Sequence, residues 1–294
     1  MNEHEFLADG FEAHRTHLKA VAYRMLGSLS DADDAVQEAW LRLSRSDTSG
    51  VENLGGWLTT VVGRVCLDML RSRTSRREDP MEVHVPDPIV SRQDGLDPEH
   101  QALLADSVGL ALLVVLDTLA PAERLAFVLH DMFAVPFDQI APIVDRSPSA
   151  ARQLASRARR RVQGAAPVPD PDLACQRQVV EAFLAAARDG DFDALVALLD
   201  PDVILRADTG TVIAGVSKVI RGAAAVAGQA LTFQRFARYA QLALVNGAVG
   251  VVTAPDGQPM AVMGLTIAHG KVVAIDILAD PERLRRLDLA VLDD

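Results

Sequence analysis

Between Arg146 and Gly164 the chain carries six arginines and no acidic residue. Guanidinium forks pair with phosphates and guanine edges, so an unbroken basic run of this kind predicts a nucleic-acid contact. Ser147 offers a helix N-cap, and Pro148 suits the first helical position, where its missing N–H costs nothing. From there Ala151, Leu154, Ala155, Ala158 and Val162 recur at helical spacing as one apolar stripe. Arg152, Gln153, Ser156, Arg157, Arg160 and Arg161 point elsewhere. Two preceding segments share the same core: Ala122 to Met132 through Leu125, Val128 and Leu129, and Phe137 to Val144 through Phe137, Ile140 and Val144. Asp145 holds the turn, where Asp tolerates positive φ, and Pro142 should kink or shorten the helix before it. The pattern predicts a helix-turn-helix whose second helix enters the major groove.

A second basic stretch lies upstream. Gly55-Gly56 opens a helix in which Trp57, Val61, Val65, Leu67 and Leu70 supply core positions. Trp57 to Arg77 holds five arginines against one acid, more than a helix C-terminus needs to complement its dipole, which predicts a phosphate-binding face. Glu78 to Asp106, between the basic stretches, carries eight acids and one arginine. The net charge is −11, so any affinity for nucleic acid must come from where the charge sits.

Two helices come first. Phe11 to Leu26 sets His14, Leu18, Val21, Ala22 and Met25 on one side. Gly27 to Ser30 breaks it, and Ser30 is the expected cap of the next helix, with Asp31, Asp33 and Asp34 in its first turn. That helix turns Val36, Ala39, Trp40 and Leu43 inward and leaves Asp34, Gln37, Glu38 and Leu41 for a polar or partner-facing side.

Length fits two or three domains at 294 residues. Val108 to Leu116, the longest apolar run, is far too short to span a bilayer. The acidic N-terminus lacks the order of a signal peptide. Cys66 and Cys175 stand far apart, which disfavours disulfides and cysteine-based zinc sites. The expectation is a cytoplasmic protein with no metal, no cofactor and no membrane contact.

After Gly164, AAPVPDPD reads as a hinge. Leu173 to Asp189 and Phe192 to Leu199 then read as helices. Beyond Pro201 the period becomes two: Val203 to Ala207, Arg238 to Val245, Ala248 to Thr253, Met260 to Ala268 and Val272 to Leu278 read as strands. Asn246-Gly247, Asp256-Gly257 and His269-Gly270 separate the last four as hairpin turns, giving an α+β domain. Asp202, Arg206, Asp208, Tyr239, His269 and Asp276 are its candidates for acid–base work, but no motif names a reaction, and a non-catalytic domain is expected.

The order DDAVQEAWLRL, GGWLTTVVGRVCLDMLRSR and LAPAERLAFVLHDMF…FDQIAPIVDRSPSAARQLASRARRRV resembles bacterial sigma factors of the extracytoplasmic-function (ECF, group IV) type, over roughly Phe11 to Gly164. The resemblance implies that Asp34, Gln37, Glu38 and Leu41 bind the clamp helices of the RNA polymerase β′ subunit. It implies that Trp57, Arg64, Asp68, Arg71 and Arg73 recognise and melt the −10 element. Ser149, Arg152, Gln153, Ser156 and Arg157 would read the −35 element from region 4, which also meets the β flap. Many members carry Arg-Asn where this chain has Gly63-Arg64. In such factors the linker between regions 2 and 4 threads the polymerase cleft; the acids of Glu78 to Asp106 suit an anionic stand-in for RNA or a solvated tether.

The C-terminal third resembles the ketosteroid-isomerase/SnoaL-like cone fold, with a curved antiparallel sheet, that a subgroup of these factors carries. There it is thought to regulate polymerase binding in place of a separate anti-sigma factor. VHVPDPIV (Val83 to Val90) resembles the subgroup's W-L-P-E-P without the Trp, and DPERL (Asp280 to Leu284) resembles N-P-D-K-L. Where the subgroup has D-G-G-G-K, this chain keeps only Asp208 and Gly210. Asp208, Gly210, Asp280, Pro281 and Leu284 are therefore the regulatory candidates. The implied organisation is an all-α region 2 (1–77), acidic linker (78–106), all-α region 4 (107–164), hinge (165–172) and α+β SnoaL-like domain (173–294). The implied partners are core RNA polymerase and promoter DNA. The competing reading is a one-component DNA-binding regulator whose C-terminal pocket senses a small molecule.

Overall fold

A computed structural model describes residues 3–46, 51, 53–76, 83–92, 109–165, 167–210 and 218–289. Apart from residues 83–92, the acidic connector lies outside the described residues. These residues form two compact units: one within 3–76 and 115–165, the other within 83–92, 109–114 and 167–289.

The first unit is all-helical. Helix α1 (Glu3–Leu26) ends at Gly27, whose φ of 68° is the left-handed stop that glycine adopts freely. In α2 (Leu29–Leu43) the cap is Ser28 rather than Ser30: its backbone is extended and its hydroxyl accepts from the Asp31 amide at 3.3 Å. Ser30 already lies inside the helix, where its backbone cannot take the capping conformation. Helix α3 (Leu54–Arg76) buries Leu58, Val62, Val65, Cys66, Leu67 and Leu70 against these two. Trp57 and Val61, expected in the core, are only half-buried and line a cleft instead. Full burial pushes the Cys66 thiol well above its ordinary range, so it stays protonated and inert.

Helix α4 (Leu110–Asp117) leads to α5 (Pro121–Phe127), which runs into a π turn over Val128–Met132. Helix α6 is only Phe137–Ile140, as Pro142 dictates, and Asp145 takes φ 55° in the turn. Helix α7 (Pro148–Ala165) follows, with the Ser147 hydroxyl accepting from the Ala150 amide at 3.2 Å. Ala151, Ala155 and Ala158 are buried, small enough to let α7 approach α5 closely.

Arg124 on α5, 2% exposed, ties the helices together. It donates to the Arg24 carbonyl at 3.3 and 3.2 Å and pairs with Asp117 at 2.9 Å. Arg24 lies in the last turn of α1, whose carbonyls have no partner within the helix, so the guanidinium serves as a C-terminal cap.

The second unit is α+β. Asp172 caps α8 (Leu173–Asp189), Gly190 ends it at φ 74°, and Asp191 caps α9 (Phe192–Leu198). Helix α10 (Ala223–Thr232) and a 3₁₀ turn, Gln234–Tyr239, precede the hairpins; the turn replaces the start of the strand expected from Arg238. The strands are β1 (Val90–Ser91), β2 (Leu199–Asp208), β3 (Lys218–Arg221), β4 (Ala240–Val245), β5 (Ala248–Thr253), β6 (Ala261–Ala268) and β7 (Lys271–Leu278). Their order is β1-β4-β5-β6-β7-β2-β3, and the sheet does not close. It is mixed, not wholly antiparallel, because β2 runs parallel to β7. Asn246-Gly247 and His269-Gly270, all at positive φ, make the two-residue hairpins.

Alternation along the strands divides the sheet. Leu205, Val251, Leu265 and Ile275 face the core with Val180, Phe183 and Leu184 of α8. Arg206, Asp208 and Asp276 take the opposite parity. On that side Leu110 packs over Gly264, where a Cβ would sit 2.9 Å from its Cδ2.

Candidate nucleic-acid interface

Asp34, Gln37, Glu38 and Leu41 form one stripe along α2. Asp34, Gln37 and Leu41 are exposed, Leu41 at 38%. Glu38 is half-buried and holds Arg42 at 2.9 Å.

On α3, Trp57, Arg64, Asp68 and Arg71 share a face, and the last three are exposed. Arg64 donates to the Pro142 carbonyl at 3.0 Å. Arg73 differs: it donates to the Leu26 carbonyl at 3.0 Å and pairs with Asp31, which holds α3 against the start of α2. Arg76 lies in the helix, and Arg77 lies outside the described residues.

The helix-turn-helix set occupies the first three turns of α7. Ser149, Arg152, Gln153 and Arg157 are exposed and Ser156 is half-buried. The Ser149 hydroxyl lies 2.9 Å from that of Ser147, and Arg152 stacks over the Phe137 ring at 5.3 Å. Glu123 of α5 holds Arg157 and Arg161, each at 3.0 Å, and Asp131 holds Arg159. Part of the basic face is thus neutralised within the unit, so surplus positive charge falls mainly to the N-terminal end of α7.

In the second unit the five regulatory candidates come together with a stretch of linker. Asp208 caps a turn by accepting from the Gly210 amide at 3.0 Å. It is also the centre of a clamp: its other oxygen accepts from the Val85 amide at 3.0 Å and from Arg283 at 2.8 Å. Arg283 donates further to Asp87 at 2.8 Å and to the Val85 carbonyl at 2.6 Å. Asp280 caps α11 (Pro281–Leu284) by accepting from the Glu282 amide, and Leu284 beneath it is buried. Gly210 at φ 65° leaves no room for a Cβ, which would stand 2.5 Å from an Asp280 carboxylate oxygen. Ile89 and Asn246 exchange bonds of 3.1 and 2.8 Å, and Val90 and Ser91 pair with Val245 and Leu244 as an added edge strand. Burial pushes the Asp208 carboxyl up, but His84, the Val85 and Gly210 amides and Arg283 outweigh it and hold it below the ordinary range.

Arg283, Asp87 and Asn246 escaped sequence reasoning. Of the acid–base candidates, Arg206 and Asp276 pair at 2.9 Å, and burial raises the Asp276 carboxyl despite that partner. With Asp208 they lie on the sheet face opposite the helix-covered core. Asp202 and His269 are exposed, and Tyr239 accepts from Arg238. Among the described residues no cluster suits a metal ion, and no helix is long and apolar enough to cross a membrane.

The helical geometry agrees with what known proteins show. Residues 11–76 match the model of Sigma-70 region 2, and residues 109–162 match that of Sigma-70, region 4. The ECF RNA polymerase sigma factor SigJ of Mycobacterium tuberculosis is 43% identical over 289 residues, spanning 93% of this chain and 91% of SigJ. The chain belongs to the ECF RNA polymerase sigma factors. A second relative, the probable ECF sigma factor SigI of the same species, is 36% identical over 97% of both chains. The crystal structure of M. tuberculosis SigJ superposes with a TM-score of 0.78 at 39% identity, covering 96% of this sigma factor and 99% of that chain. The N-terminal unit of this sigma factor thus carries its helix-turn-helix in region 4, and an α+β domain follows.

Proposed function

We propose that this sigma factor engages core RNA polymerase, directs it to promoters, and is restrained by its own C-terminal domain in place of a separate anti-sigma factor. The α2 stripe of Asp34, Gln37, Glu38 and Leu41 docks on the β′ clamp helices, and region 4 meets the β flap. Trp57, Arg64, Asp68 and Arg71 handle the −10 element, with Arg73 holding their helix in place. Ser149, Arg152, Gln153, Ser156 and Arg157 read the −35 element. The working segments are 1–77, 78–106, 107–164, 165–172 and 173–294, in the cytoplasm, and the last of them is non-catalytic.

The observation that carries the restraint is the clamp on the linker. Residues 85–91 have their backbone and Asp87 bound to Arg283, Asp208, Asn246 and β4. A segment held as an edge strand is not free to thread a polymerase cleft, so the two uses exclude one another and their free energies compete. The basic faces add to this. Arg64 of α3 is tied to the Pro142 carbonyl in the helix-turn-helix, so its contact with DNA requires the helical unit to open.

Transcription from a promoter library by core enzyme plus this protein tests the reading. Discrete start sites that vanish in the Gln37→Ala/Glu38→Ala double variant are expected. Operator binding without polymerase, and no discrete start sites with it, would favour the one-component regulator instead.

A further inference from the structure

A cleft of about 750 Å³ opens within the helical unit, inside the range of roughly 300–1,000 Å³ typical of small-molecule sites. Arg42, Arg45, Asn53, Trp57 and Arg64 line one side and Gln139 the other. Among the described residues, no carboxylate lines it. Arg42 is positioned by Glu38, and Arg64 by the Pro142 carbonyl, which leaves each guanidinium further donors. Arg45 is exposed and has no side-chain partner among the described residues.

Three guanidiniums around one indole combine the two halves of a nucleotide's chemistry. Planar guanidiniums match phosphate oxygens two at a time, and an indole face stacks on any base. Asn53 and Gln139 supply amides that can bond a base edge. We infer that this cleft is a binding site for a free nucleoside polyphosphate. Trp57 takes the base and the three arginines take the phosphates.

Its far wall is what separates this from promoter contact. Gln139, Pro142 and Ile143 belong to the helix-turn-helix and close the cleft opposite Trp57. A volume of about 750 Å³ between the walls is of the size that takes one small ligand. A ligand touching both walls binds better when they are together, so it shifts the population toward this packing. It also competes with DNA for Trp57 and Arg64, a consequence that rests on the promoter-binding roles proposed above.

Calorimetry on the full-length protein, with neither DNA nor polymerase present, tests the site independently of transcription. GTP and ATP are the probes, with GMP and inorganic pyrophosphate as the comparison arms. Saturable binding of the triphosphates is expected, clearly tighter than that of GMP or pyrophosphate. Arg45→Ala should weaken it about tenfold, the order expected for one charge-assisted phosphate contact. Gln139→Ala should also weaken it, because the far wall takes part. Both residues are exposed, so unchanged thermal melting will show that the variants fold. No saturable heat up to about 1 mM triphosphate overturns the proposal. So does equally tight binding of pyrophosphate, or binding that neither variant affects.

Discussion

Replacing Arg283 by alanine removes the side chain that joins Asp87, Asp208 and the Val85 carbonyl. Arg283 is 17% exposed at its side chain, Asp208 6% and Asp87 11%, so these charges are paired largely out of water. Removing one partner of a buried ion pair costs about 3–5 kcal/mol, because the remaining charge stays buried. Here Asp208 keeps the Val85 and Gly210 amides, which places the loss near the lower end. About 3 kcal/mol corresponds to roughly a hundredfold change in the docking equilibrium of the linker. Amide hydrogen exchange reads it directly. Val85, Ile89 and Asn246 donate to Asp208, Asn246 and Ile89, so these amides are protected only while the linker is docked. In Arg283→Ala their protection should fall by about two decades, while amides of β5 and β6 in the core keep theirs. Unchanged protection at Val85 and Ile89 in a folded variant would refute the clamp.

Three further outcomes follow from the same geometry. Gly210→Ala forces a Cβ toward the Asp280 carboxylate at a φ of 65°, strain of about 1–3 kcal/mol, and should loosen the same amides by a tenfold or larger factor. The Asp208 carboxyl is held below its ordinary range in the folded state, so its contribution is complete above the unfolded value near pH 3.9 and is lost as pH falls through the lower folded value. A titration followed at the Val85 and Gly210 amides should give a common midpoint below about 3.9, and a midpoint at or above it contradicts the assignment. Arg124→Ala uncaps the last turn of α1 and strands the Asp117 carboxylate, a loss of about 3 kcal/mol. Differential scanning calorimetry should then show the helical unit melting roughly 10 °C lower, and a shift under about 2 °C would remove Arg124 from that role.

Much of this architecture was legible locally. Ser147-Pro148, the alanine stripe of α7 and Pro142 each act within one turn of helix, and the helix-turn-helix follows from them. Asn246-Gly247 and His269-Gly270 determined their hairpins for a similarly local reason, a backbone that must take positive φ twice. What stayed hidden is long-range. Pairing of β2 with β7 joins residues about seventy positions apart, and no periodicity reports whether such neighbours run parallel. Strand β3 and helix α10 lie in a small-residue stretch, 218–232, with neither a sharp alternation nor a polar cap. Arg283 stands within DPERL with nothing local to mark its role, and only the fold brings it to Asp87, 196 positions away. Trp57 was assigned to core and to DNA at once; half-burial at the edge of a cleft reconciles the two.

The central claim is that the C-terminal domain restrains the sigma factor by keeping the linker from polymerase. Its most direct test is run-off transcription by core RNA polymerase with the full chain and with a chain ending after Leu278, which lacks the Asp280–Leu284 segment. Transcripts from the same start sites in clearly greater amount with the shortened chain are the predicted result. Equal output from the two chains, at equal occupancy of core enzyme, would contradict it.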